Sequence, residues 1–534
     1  MTFTHAWPVR RRTTAAIVLV AALVAGATVA LQGASASGAP QPTHGGVLRY
    51  GIDTEGTGFQ PIFDACSQAC QTISRAIFDP LTALNSKSEV VPYLAKSATA
   101  NSDNTVWTIV ARPGIKFTDG EALDGHAIAQ NLLAYQKSPI LASAEANIAS
   151  ISQTGKMTVQ VTLKTPNARW DETLTGQGGW MMAPSQLANK NAGLHPIGSG
   201  PFMFKSWTPG QKVVLVRNPH YWQKGLPYLN EVDFIPIADA SARTAALRQG
   251  QVDMIMTNDN GQIAALKGIK SLDTRTTDYA AATDEFVLNN ETPPTNDLRV
   301  RKALAYATDE TSLIKVLGDG VVQKADGPFP PGNIGYQKTT IMPTYNLAKA
   351  QALVKSYEAQ YGPLTITLQV GTSDTVRGQL AQAMWEKAGM TVKLVVNDPN
   401  TQLFNLLLGN YEVIPGQLPG APDPSTQDIW WDSVNVQPLG KVSLNYGRIR
   451  DNVVDQSLKT LIQKTDPKVR RAAAQTITDR FAKGAYAIWN YWVVWALSYK
   501  TTVHPATVIT LPNGNGSAPY REGTNWLLET YISK

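Results

Sequence analysis

Cysteine is nearly absent from this chain: 534 residues carry two, Cys66 and Cys70. That excludes a disulfide-dense scaffold. No histidine lies close enough in sequence to complete a zinc set with them, the next after them being His126. A disulfide or two buried thiols is the expected state, with a metal or redox pair as the weaker alternative. A spacing of four puts both on one face if the segment is helical. Histidine is scarce as well, six in all and scattered. Charged residues reach only 16% against 43% hydrophobic, which is ordinary for a folded protein and argues against disorder. The net charge is +6, and Arg10, Arg11 and Arg12 supply half of it. No basic patch interleaved with aromatics exists, so nucleic acid is not an expected partner. Enzyme signatures are missing too. There is no G-x-S-x-G elbow and no H-E-x-x-H helix, and Gly176, Gly178 and Gly179 do not complete a dinucleotide fingerprint. Ser199, between two glycines, reads as a turn residue rather than an exposed nucleophile. The expectation is therefore no enzyme, no cofactor and no metal.

Long apolar runs occur in one place only. Ala15 to Leu31 follows the three arginines and precedes Ala34-Ser35-Ala36, a small-residue cleavage pattern. Residues 1–36 read as a signal peptide and 37–45 as a polar linker. An uncleaved anchor is the alternative, since the run is nearly long enough to span a bilayer. No cysteine stands near the cleavage pattern, so a lipid anchor is not expected, and Arg11-Arg12 is a poor twin-arginine match. Export is the expectation, to the periplasmic or extracellular face of the cytoplasmic membrane.

What is present is a long α/β pattern, too long for one core, so two or three lobes are expected. Val47 to Tyr50, Val106 to Ile109 and Met157 to Leu163 read as strands. Asp124 caps a helix running to Lys137. Ala240 to Arg248 reads as a helix with Gly250 as its stop. Arg299 to Ala307 and Asn346 to Tyr361 are further helices, the second stopped by Gly362-Pro363. Leu364 to Val370, Thr375 to Ala388 and Thr391 to Val396 form strand, helix, strand, which implies a parallel pair. Another helix begins at Asn400, a strand at Tyr411, and helices cover Asn452–Lys464 and Pro467–Lys483. Trp489, Trp492 and Trp495 are three apart, a helical spacing that reads as core.

The most specific stretch is Pro196 to Asp253. It contains P-I-G-S-G-P-F-M-F, V-R-N-P-H-Y-W and A-A-L-R-Q-G-Q-V-D-M in that order. Gly45 to Tyr50, W-T-I-V-A-R-P-G-I-K-F-T-D-G from Trp107, R-V-R-K-A-L-A-Y-A-T-D from Arg299 and G-P-F-P-P-G from Gly327 accompany it. Together they resemble the extracellular solute-binding proteins of bacterial ABC importers, family 5, the oligopeptide, dipeptide and nickel group. The resemblance implies a periplasmic-binding-protein-like α/β fold: two large lobes with a hinged cleft, plus a small inserted α+β domain. It implies these bounds: 46–85 first lobe, 86–195 inserted domain, 196–290 first lobe again, 291–495 second lobe, 496–534 return to the first. It further implies a monomer that captures a peptide or other small solute and delivers it to a membrane permease. An oligosaccharide or metal chelate remains an alternative ligand. A permease-independent receptor or sensor and a secreted hydrolase are the readings from other classes.

Two regions carry the expected ligand contacts. One is the loop after the first strand, with Glu55, Gly56 and Thr57. The other holds Asp423, Trp430, Trp431, Asn445, Tyr446 and Arg448. Many family members place an acid just before the P-D-P motif to receive a peptide's amino end. Here the motif is Pro422-Asp423-Pro424, and Gly420 stands where that acid is expected. Asp423 reads equally as a turn residue, Trp430 and Trp431 equally as core, Arg448 as a surface charge, and 55–57 as a flexible loop.

Overall fold

The computed structural model describes residues 41–533, apart from 65, 143–144, 280, 339 and 522. The expected signal segment, 1–36, and residues 37–40 of the linker lie outside these residues.

Alternating apolar residues build the first sheet. Leu48, Tyr50 and Ile52 of strand Val47–Ile52 are fully buried. This strand lies parallel to Glu231–Pro236 on one side and Met254–Thr257 on the other. Between those two neighbours the chain runs through helix Ala240–Arg248, capped by the Asp239 carboxylate. Gly250 (φ 76°) ends that excursion in the left-handed region, which costs glycine little. Antiparallel strands Lys212–Arg217 and Phe202–Thr208 extend one edge, and Trp495–Lys500 and Leu272–Thr277 the other, for seven in all.

A four-stranded antiparallel sheet forms the inserted part, in the order Ala95–Ala100, Val106–Ala111, Thr158–Leu163, Ile148–Gly155. Asp124 caps its helix, Gly125–Tyr135, by accepting from the His126 and Ala127 amides. Trp107, Ile109, Val159 and Val161 are continuous with the core of the first sheet. The insert therefore shares one hydrophobic body with the first lobe.

The second lobe is a five-stranded sheet, Thr391–Asn397, Thr365–Gly371, Val413–Leu418, Thr283–Leu288, Ala487–Trp492. The expected strand, helix, strand unit is there. Thr365 pairs in parallel with Thr391, and helix Thr375–Lys387 lies between them in sequence.

Two expectations need correction. Strand Leu272–Thr277 belongs to the first sheet and Thr283–Leu288 to the second, so the chain crosses at 278–282, earlier than the expected 290/291. It returns at 493–494, because Trp495 already begins a first-sheet strand. All six residues of 283–288 are buried, so their pattern carries no sign of which sheet they join. Second, Trp489, Trp492 and Trp495 lie on strands. The pairing register shifts between Asp284 and Glu285, leaving Asn490 as an extra residue. That bulge puts Trp489 and Trp492, three apart, in the same core.

Candidate functional site

Where the chain crosses between the sheets, strand ends from both lobes frame a cavity of ≈ 340 Å³. Asp53, Gln68, Asn258, Ala282, Gln417, Pro419 and Trp495 line it. Asp53 and Asn258 stand just beyond the carboxyl ends of two adjacent parallel strands, Val47–Ile52 and Met254–Thr257. Ligands of open α/β sheets bind outside such ends, where side chains converge and no helix covers the edge. Gln68 opens helix Gln68–Ile77, capped by Ser67, whose hydroxyl accepts from the Cys70 amide. The Cys66–Cys70 disulfide encloses that cap. Gln417 and Pro419 come from the end of strand Val413–Leu418, and Ala282 from the crossing itself. Trp495 is 8% exposed, and its indole is backed by Gly523 (φ 79°), where a Cβ would come within 2.6 Å of the ring.

The chemistry of this lining is narrow. Its one formal charge is Asp53, whose Oδ1 accepts from the Thr54 amide at 2.8 Å. Three primary amides both donate and accept, and one indole offers a flat apolar face. No lysine, arginine or histidine among the described residues lines the cavity. Among the described residues no helix is long and apolar enough to cross a membrane, and no cluster of three metal-ligating side chains exists.

Asp423 aside, the residues expected from sequence fall into three groups. In the first loop, Asp53 reaches the cavity, whereas Glu55 turns away and accepts from the Gly210 amide at 2.5 Å. Gly56 packs on the disulfide, with a Cβ there only 2.9 Å from Cys70 Sγ, and Thr57 is exposed. A second group is structural. Asn445 is fully buried, donating to the Asp432 and Ile449 carbonyls and accepting from the Ile449 amide. Arg448 is 1% exposed with φ 50°, so it is no surface charge. Its guanidinium donates to the Gln437 carbonyl and lies 3.7 Å from Glu291. Trp431 packs edge-on against Phe329 and beside Phe481. The third group, Trp430 and Tyr446, forms a partly exposed aromatic pair with centroids 5.2 Å apart.

Asp423 joins the two lobes. It caps the turn at Pro424 by accepting from Ser425 and pairs with Arg470 at 2.5 Å. Arg169, from the body built on the first sheet, lies 3.6 Å away and also pairs with Glu172 at 3.0 Å. Beside this cluster the Ala168 amide donates to the Ile462 carbonyl across the same junction. Burial alone would raise the Asp423 carboxyl, but Arg470 and then Arg169 outweigh it and hold it below the usual aspartate value. Burial, followed by the charge of Asp423, pushes Glu172 up to about 7.

Comparison with known proteins places this geometry. Residues 89–436 match the family model described as bacterial extracellular solute-binding proteins, family 5. This chain belongs to that family. Glutathione-binding protein GsiB of Salmonella typhi is 30% identical over 305 residues, which is 56% of this chain and 59% of GsiB. The alignment thus spans less than two thirds of that relative's length. Among solved structures, DppA of Helicobacter pylori in complex with peptide STSA aligns with TM-score 0.79 at 21% identity, covering 92% of this chain and 99% of DppA. NikA of Brucella suis in complex with Fe(III)-EDTA aligns with TM-score 0.78 at 22% identity, covering 91% and 100%. At that identity the likeness is one of fold.

Gln68, Asn258, Ala282 and Trp495 escaped sequence reasoning. The signal for Asn258 was available, since it follows a strand whose neighbour also ends at the cavity. For Gln68 and Trp495 the chain has no local marker; they meet 427 positions apart only because the return strand re-enters the first sheet.

Proposed function

We propose that this chain is the exported ligand receptor of an ABC importer, taking up a peptide or peptide-like solute between its lobes and handing it to a membrane permease. The single observation that carries this reading is the ≈ 340 Å³ cavity at the two crossing segments, lined from both lobes. Rotation about two short crossings opens and closes such a cavity, and a ligand touching both sides favours the closed state by its differential affinity. The names of GsiB and DppA support a peptide ligand. The receptor works by binding and release, without bond chemistry. In keeping with that, Ser199 is 1% exposed, no nucleophile poised for substrate. Asp53 receives a ligand amine, and the amides of Gln68, Asn258 and Gln417 pair with ligand N–H and C=O groups.

A second reading, an oligosaccharide ligand, is favoured by the lining itself, since three amides and an indole also suit hydroxyls and a sugar face. A thermal-shift screen of the protein against di- to pentapeptides and oligosaccharides separates the two, because a ligand of the native state must raise apparent stability. The peptide reading expects stabilisation by peptides with a free amino end. It expects about a tenfold loss of affinity in Asp53→Asn, the worth of one charge-assisted hydrogen bond. Stabilisation by sugars alone would overturn the peptide; no stabilisation by either class, with no interlobe closure by small-angle scattering, would overturn the receptor.

A further inference from the structure

A second cavity lies inside the second lobe, between its sheet and the loops that carry Trp430 and Tyr446. It is small, ≈ 20 Å³, room for about one water-sized group. Glu285 lines it and is 4% exposed. Its Oε2 has no hydrogen-bond partner among the described residues. Directly across the ladder stands Trp489, whose indole Nε1 is also without one. Trp430, Trp431, Tyr446, Phe481 and Tyr486 add five more rings to the wall, with aliphatic side chains between them.

A carboxyl oxygen buried without a partner is costly, and the six aromatic rings that line this cavity are a poor environment for an anion. Aromatic rings attract a cation, by contrast, through the negative face of the π system. We propose that this cavity is a ligand subsite for a primary ammonium group, with Glu285 as its counter-ion. The inference rests on the receptor reading, and it adds a second amine to the expected ligand, such as a lysine-like side chain or a diamine. Trp430 and Tyr446 are partly exposed, so the wall they form meets solvent and gives an alkyl chain a way in. The volume admits –NH3+ and excludes a trimethylammonium head.

Occupation carries a proton signature. The titratable and charged groups around Glu285 are Asp284 on its own strand, Tyr411 just before the neighbouring strand with Arg448 acting on it, and Tyr446 and Tyr486 in the wall. Burial, then the charge of Asp284, holds the Glu285 carboxyl well above its usual range. An entering ammonium keeps its own proton; Glu285 loses its proton to solvent and becomes the paired carboxylate. Binding therefore releases up to one proton per site.

The test is calorimetric titration with n-butylammonium chloride, in two buffers of different ionisation enthalpy, with tetramethylammonium chloride as control and tryptophan fluorescence followed in parallel. The expected result is n-butylammonium binding with quenching and proton release, no tetramethylammonium binding, and at least a tenfold loss of affinity with no proton release in Glu285→Gln. If that variant does not fold, Trp430→Leu serves, with weaker binding but proton release retained. Equal response to both ammonium salts, or proton release that survives Glu285→Gln, overturns the subsite. If library solutes bind but n-butylammonium gives neither heat nor quenching, the subsite falls and the receptor stands. If nothing binds at all, the receptor reading falls and the subsite with it.

Discussion

Arg470 and Asp423 are each less than a tenth exposed, so removing Asp423 leaves the Arg470 guanidinium a buried charge with no carboxylate beside it. Removing one partner of such a pair costs more than the pair contributes, because the survivor stays desolvated. Asp423→Ala is expected to cost about 3–5 kcal/mol, read as a large fall in melting temperature. Asp423→Asn keeps an acceptor for Ser425 and is expected to cost less. Arg169 is a different case, since its side chain is 23% exposed and its partner lies across the junction. Arg169→Ala is expected to leave the fold intact and to speed ligand release about fivefold, equivalent to about 1 kcal/mol from a partly screened ion pair. Stopped-flow release of a bound fluorescent ligand measures it; an unchanged release rate would mean that the contact plays no part in closure.

At the scale of elements, the approach of Gly198 and Gly200 to the end of helix Gln68–Ile77 ties together two segments of the first lobe on either side of the insert. A Cβ on Gly198 would overlap the Ile77 carbonyl oxygen, and one on Gly200 would lie 2.6 Å from it. Both obstacles are backbone, which cannot swing aside. Gly200→Ala is expected to destabilise by about 1–3 kcal/mol through overpacking, seen as a lower urea midpoint. The turn was legible in the sequence as G-S-G, and so was the helix at Ala240, from its glycine stop. The reason those glycines are needed was not legible, since Ile77 is more than a hundred residues away. The disulfide belongs to this scale as well. It closes a loop of a few residues, so reduction is expected to cost only about 2 kcal/mol by loop entropy. A melting curve with and without dithiothreitol checks it.

For the whole molecule, burial of acids sets the response to pH. Burial pushes Asp79, Glu145 and Glu172 up to about 7. A raised carboxyl stabilises the fold below its ordinary value, and that contribution is lost as pH rises through about 7. Asp253 and Asp423 run the other way. Burial opposes them, but Arg49 with Lys500, and Arg470 with Arg169, hold them below 3.8, so their contribution disappears only as pH falls beneath that value. The melting temperature is therefore expected to fall by several degrees from about pH 5 to about pH 8, and to fall again in strong acid. A flat profile from 5 to 8 would mean that these acids are solvated.

The sequence by itself determined the local elements, because caps, stops and apolar periods act over a few residues. It also determined the family, since several ordered segments match in series. Only the tertiary structure decided which charges are paired and which are free to meet a ligand. Asp423 reads as a ligand contact until Arg470 and Arg169 are seen beside it. Nothing in the sequence singles out Glu285; the bulged partner strand alone puts Trp489 opposite it. Pairing and burial are relations between distant segments, and no local pattern encodes which segments will meet.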